Sequence, residues 1–139
     1  MKVQIVNKDE EIIDGYYIIS INKLETVATL INNACTDIIA VDVLDKLSNK
    51  NALDLLNALL QKVRMNGRLI LSGIHLLSFA NGIVNENIDQ DTVAKIIDEN
   101  HSIIDSRKIS NILESHKFVI DSLKIQSYKY EITATRSST

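Results

Sequence analysis

Two carboxylates, Asp42 and Asp45, follow the apolar run "DIIAV", and a histidine, His75, follows a second one, "RLILSG". Such runs read as strands buried on both faces. Open α/β sheets receive their ligands outside the carboxyl ends of their strands. A carboxylate there can orient a substrate or take a proton, and an imidazole can move one near neutral pH. Each residue also has a plainer reading. Asp42 solvates a strand end, Asp45 caps the following helix, and His75 marks where the strand meets water. His101 and His116 have no partner at metal-ligand spacing, and the single cysteine, Cys35, has no adjacent cysteine or histidine. No metal is expected, and Cys35 reads as a small buried residue. No G-x-S-x-G and no phosphate-cradling glycine loop occurs. Tyr16, Tyr17, Tyr128 and Tyr130 fall in strand-like runs and read as packing.

These groups sit in a chain of globular composition. Hydrophobic residues make up 45% and charged residues 24% of 139 positions, enough for one domain with a real core. The formal net charge is -3, with lysines and acids interspersed, which argues against a nucleic-acid surface. No apolar run approaches a membrane span. The opening "MKVQIVNKDEE" lacks the hydrophobic stretch of a secretory signal. The expected location is therefore the cytoplasm or a virion. Proline is absent and isoleucine, asparagine and lysine abound, a bias that points to an AT-rich genome such as that of a phage or low-GC bacterium.

The elements that must position Asp42 and His75 follow from periodicity. Residues 2–6 and 16–21 are β-rich. Leu24, Val27, Leu30 and Ile31 recur at helical spacing, with Asn22 as N-cap and Glu25 completing a capping box. Residues 37–42 form the next strand. A leucine stripe over residues 52–63 predicts the strongest helix, with Leu56, Leu59 and Leu60 on residues 38–41 and 69–71. Gly67 is expected to end that helix, and "RLILSG" to follow a tight loop. Shorter helices are predicted over 92–98 and 107–116. "FVIDSLKIQ" and "YKYEITATR" alternate with period two and form an antiparallel hairpin turning at Gln126 and Ser127. Strands alternating with helices predict a mainly parallel sheet covered on both faces. Residues 1–136 make one α/β domain, with 137–139 as a disordered tail. The segment from Asn7 to Asp14 is too short for a full crossover helix. It reads either as a short crossover or as a hairpin.

This order of motifs resembles class I S-adenosylmethionine-dependent methyltransferases. "DIIAVDVLDKL" is similar to the family's D-x-I-x-x-x-x-V-L-E-H-L strand and loop, with Lys46 where histidine is usual. "VRMNGRLILSG" is similar to its L-x-P-G-G-x-L-x-I stretch, and "KFVIDSLKIQSYKYEITATR" to its terminal hairpin. The match runs from Asp37 to Arg136. The resemblance implies a Rossmann-like methyltransferase fold with a shortened N-terminal part. It also locates the cofactor site, and there the chain departs from the family. Val6, Asn7 and Lys8 stand where the family has glycines that admit the cofactor, and Ser20 stands where it has the acid that holds the ribose hydroxyls.

The expectation is a degenerate methyltransferase-like domain without cofactor, serving as a structural or protein-interaction module, with a phage particle as one setting. The alternative is a minimal S-adenosylmethionine-dependent methyltransferase, completed by a partner subunit. The partner is expected to be a protein or a second copy of the chain, with no nucleic acid, membrane or metal. Leu76, Leu77, Phe79, Ile83 and Val84 prolong the apolar run beyond His75 and are the expected interface. The rival reading folds that segment back as a short helix filling the core.

Overall fold

The apolar runs become a six-stranded sheet in the computed structural model, which describes residues 1–7 and 10–137. The strands are β1 (Lys2–Val6), β2 (Tyr17–Ser20), β3 (Cys35–Val41), β4 (Val63–Ile74), β5 (Phe118–Gln126) and β6 (Lys129–Arg136), in the order β2-β1-β3-β4-β6-β5. The first four run parallel, and β6 joins β4 and β5 antiparallel. The helices are α1 (Asn49–Lys62), α2 (Leu76–Val84), α3 (Gln90–Glu99) and α4 (Ser106–Ser115). No helix among the described residues is long and apolar enough to cross a membrane.

Register shows where the core lies. Val3, Ile38, Leu69 and Ala134 are neighbours across four strands, as are Ile5, Ala40, Leu71 and Ile132. All eight are wholly buried, because Leu56 and Leu59 of α1 and Ile109 and Leu113 of α4 pack on this face. The opposite row is Gln4, Ile39, Ile70 and Thr133. Here helical cover is partial: Ile70 and Thr133 remain partly open in the middle of the sheet, while Ile74, farther along the same face, packs with Phe79 of α2 and Ile96 of α3. Gln4 is covered by the β1–β2 connection. The Gln4 amide donates to the Glu11 carbonyl and accepts from the Ile13 N–H, both at 2.9 Å. A buried amide thereby holds an irregular segment where a crossover helix would lie. β1 and β2 are parallel, so the segment is a short crossover and the hairpin reading falls.

Three local expectations change. The region after β2 is a 3-10 segment, Ile21–Thr29, kinked at Lys23. Its cap is Ser20, not Asn22, because the Ser20 hydroxyl accepts from the Asn22 N–H at 3.2 Å. Gly67 does not end α1. The helix stops at Lys62 and the chain becomes extended at once, so Gly67 lies inside β4. Asn66 takes φ 64° beside it, and a Cβ on Gly67 would come within 2.9 Å of the Cys35 carbonyl oxygen. Close approach to β3, not a helix cap, requires that glycine. Ile70 is not the equal of Leu59 in the core, because it points to the thinly covered face. The hairpin forms as expected, but its turn is Ser127 and Tyr128, one position on, with Ser127 at φ 56° and Gln126 still paired in β5.

Candidate functional site

The carboxyl ends of β1, β3 and β4 meet at one end of the sheet, and the sequence-predicted candidates gather there. Asp42 leaves β3 in a left-handed conformation, φ 56°, which carries the chain off the strand. Its N–H donates to the Ser72 carbonyl at 3.2 Å and to the Ser72 hydroxyl at 3.1 Å. Its carboxylate pairs with Lys129 at 3.1 Å, so a hairpin lysine already neutralises the exposed acid.

Asp45 is different. It lies in a 3-10 turn, Leu44–Lys46, at 2% exposure, and does not cap α1. That role falls to Ser48, whose hydroxyl accepts from the Asn51 N–H at 3.2 Å. Asp45 Oδ2 accepts from the Ile74 N–H at 2.6 Å, while its carbonyl accepts from His101 and Ser102 N–H groups. Oδ1 has no partner among the described residues, and neither does the buried Tyr130 hydroxyl. Both side chains press on Gly73, where a Cβ would come within 2.6 Å of Asp45 Oδ2 and 3.0 Å of Tyr130 Oη. Burial pushes the Asp45 carboxyl up to about 6, with the Asp42 charge adding to the effect and the Ile74 hydrogen bond opposing it. Burial also raises the Tyr130 hydroxyl, with Asp45 and Asp42 contributing. A carboxyl that titrates near neutrality suits proton transfer. This one is walled in and bonded to the backbone, which makes it a tie between β4 and two loops.

His75 is also committed locally. It is the N-cap of α2, where Nδ1 accepts from the Ser78 N–H at 3.2 Å and meets the Ser78 hydroxyl at 2.6 Å. An Nδ1 that accepts leaves the proton on Nε2, so the ring caps a helix and offers no free base at Nδ1. Lys46, in the position of the family's usual histidine, donates to the Glu99 carbonyl and to Asn100 Oδ1, both at 3.1 Å. Its charge therefore sits at the carboxyl end of α3, where the helix dipole favours a cation.

At the expected cofactor position, Asn7 and Glu10 bond to each other after the end of β1. The Glu10 carboxylate accepts from the Asn7 N–H at 3.1 Å, and the Glu10 N–H donates to the Asn7 carbonyl at 3.2 Å. Burial pushes the Glu10 carboxyl up, and the Asp42 charge adds to this. Val6 is half-buried, Ser20 is spent on its cap, and Lys8 lies outside the described residues. Two hollows remain. One of about 210 Å³ is lined by Asn7, Glu10, Val41 and Asp42. The other, about 140 Å³, reaches from Asp42 and Asp45 to Ile74 and Glu99. Among the described residues, no three His, Cys, Asp or Glu side chains come together as metal ligands.

The expected interface divides. Leu76, Leu77, Ile83 and Val84 of α2 are exposed, with Val84 at 78%. Phe79 is not, at 5%. It packs with Ile74 and Ile96, and its ring stands 6.3 Å from that of Tyr128. The helical period accounts for the split: the segment is a helix, and one of its faces closes a second small core. Sequence reasoning missed Gln4 and Tyr130. A polar residue inside "KVQIV" was a visible signal for the first. Tyr130 gave none, because a tyrosine in an alternating strand looks like ordinary packing.

No family model matches the sequence, and no curated protein matches it either. Solved structures do match. Magnesium protoporphyrin IX methyltransferase from Synechocystis, with bound S-adenosylhomocysteine, is 19% identical with a TM-score of 0.61, over 88% of this chain and 52% of its own. A methyltransferase from Archaeoglobus fulgidus is 11% identical with a TM-score of 0.61, over 94% of this chain and 75% of its own. A protein described as an S-adenosylmethionine-dependent methyltransferase from Listeria monocytogenes is 12% identical with a TM-score of 0.61, over 99% and 81%. The chain thus spans about half the length of the Synechocystis enzyme. Strand order, the parallel-to-antiparallel switch at β4 and these superpositions agree: the chain has a shortened form of the Rossmann-like fold of class I S-adenosylmethionine-dependent methyltransferases.

Proposed function

We propose that this chain is a methyltransferase-fold module without a working cofactor site, acting through a protein partner or a second copy of itself. The observation that carries the reading is the small size of the hollows at the ends of β1 and β3. Beside the bonded Asn7 and Glu10 they measure about 210 and 140 Å³. Small-molecule sites usually enclose roughly 300–1,000 Å³. Ser20 supports the reading, since its hydroxyl is held by backbone and it has no carboxylate for a ribose diol. S-adenosylmethionine and S-adenosylhomocysteine at millimolar concentration should leave the melting temperature unchanged and give no heat in calorimetry. A cofactor at 100 times its dissociation constant would stabilise the fold by about 2.7 kcal/mol, so a clear rise with unit stoichiometry overturns the proposal.

The partner surface includes Leu76, Leu77, Ile83 and Val84, exposed together on α2. Leu77→Glu should leave circular dichroism and melting unchanged while removing self-association in light scattering or partner capture. Phe79→Glu should unfold the protein, because it puts a charge into the cluster with Ile74 and Ile96. Unaltered association in Leu77→Glu removes α2 from the interface. A phage particle is one assembly that would use such a module, and virion genes beside its own would support that setting.

A second reading is a minimal methyltransferase completed by a partner subunit. It is favoured by the solved neighbours, which are described as methyltransferases, one with S-adenosylhomocysteine bound. On that reading cofactor binding appears when the partner is added.

A further inference from the structure

We infer that the hollow between α2, α3 and the β5–β6 turn is a binding site for a saccharide unit. It is an open hollow of about 460 Å³. That volume falls within the roughly 300–1,000 Å³ typical of small-molecule sites, unlike the hollows at β1 and β3. Asn81, Asn85, Asn87 and Thr92, with Ser78 and Ser127, supply its neutral polar lining, and Ile88 and Tyr128 its apolar wall. No lysine, arginine or histidine lines it among the described residues, so nothing there would neutralise a phosphate or a carboxylate. Its one carboxylate, Asp89, is engaged as the cap of α3, where Oδ1 accepts from the Thr92 N–H at 2.7 Å.

What remains is neutral and rich in hydrogen-bonding groups. Each asparagine amide offers two donors and an acceptor. None of the three side chains bonds to another described residue. The Tyr128 ring, held against Phe79, lines the same hollow. A sugar presents the matching pair of surfaces, hydroxyls for the amides and a C–H face for the ring. The hollow is also built in advance. The N–H groups of Asn87 and Ile88 both donate to the Gly82 carbonyl, at 2.8 and 3.1 Å, and Glu86 turns the chain at φ 59°. Ile88 packs directly on Gly82, where any Cβ would collide with it. The α2–α3 connection is thereby fixed as a wall. This assignment is independent of cofactor loss, and its failure leaves that proposal as it stands.

The test is a titration of the isotope-labelled chain followed by amide NMR. Glucose, galactose, N-acetylglucosamine and their methyl glycosides are the probes, with adenosine and inorganic phosphate alongside. At least one sugar should shift the backbone and side-chain amides of Asn81, Asn85 and Asn87 and the backbone of Tyr128, saturably and with little change elsewhere. Equal binding of the methyl glycoside assigns the terminal residue of a glycan chain, and loss of binding on methylation assigns a free sugar. Asn87→Ala should weaken binding about tenfold, the loss of one good hydrogen bond. Tyr128→Phe should retain it, since the ring stays. A folded protein whose signals move with none of the sugars overturns the assignment. So does saturable binding of adenosine or phosphate at these residues in place of a sugar, or an Asn87→Ala variant of unchanged affinity.

Discussion

Asp45→Asn is expected to stabilise the protein at pH 8 and to leave it nearly unchanged at pH 4. The Asp45 carboxyl is raised from an ordinary value of 3.8 to about 6 in the fold, chiefly by burial. A raised acid means that the folded state holds the proton more tightly than the unfolded chain. Below pH 3.8 both states are protonated and the favourable contribution is fully present. As pH rises through about 6 it is lost, leaving an ionised carboxylate with Oδ1 unpartnered beside the Tyr130 hydroxyl. The shift corresponds to on the order of 3 kcal/mol of stability lost between these limits. An asparagine keeps an oxygen for the Ile74 N–H and replaces the unpartnered Oδ1 with an amide donor, in a site where the Tyr130 hydroxyl oxygen also has no partner among the described residues. Its expected gain at pH 8 is about 1–3 kcal/mol. Urea unfolding of both proteins from pH 4 to 8 measures this. Curves that stay parallel across the range would show that Asp45 is ordinary in the fold.

Leu59→Ala should cost about 2–5 kcal/mol, the usual range for emptying a leucine site in a packed core. Leu59 of α1 is fully buried, in one core cluster with Ile38 and Leu69 of the sheet. Ile70→Ala should cost only about 1 kcal/mol, because that side chain is partly open to solvent. The contrast is the informative quantity, since both substitutions delete the same number of carbons. Equal large losses in chemical denaturation would mean that the Gln4 face is as thickly covered as the α1 face.

The amino-acid sequence alone determined the strand-helix alternation, the leucine stripe of α1 and the terminal hairpin. It also located Asp42, Asp45 and His75 at strand ends and showed the departures at Val6, Asn7 and Ser20. These are local properties. Periodicity records which side of an element is buried, and a polar residue after an apolar run marks where a strand meets water. Tertiary structure alone decided how those side chains are used. Lys129 neutralises Asp42 from 87 positions away, and Ile74 ties Asp45 from 29 positions away. Their pairing follows from sheet register, which no short window of sequence contains. The same holds for the cover over β1, since a strand buried on both faces reads alike whether a helix or a loop pinned by Gln4 does the burying. Likewise Gly67 and Phe79 took roles that local pattern had assigned otherwise. A glycine serves a cap or a close approach equally well, and whether an apolar side chain is interface or core depends on what Ile74 and Ile96 bring beside it.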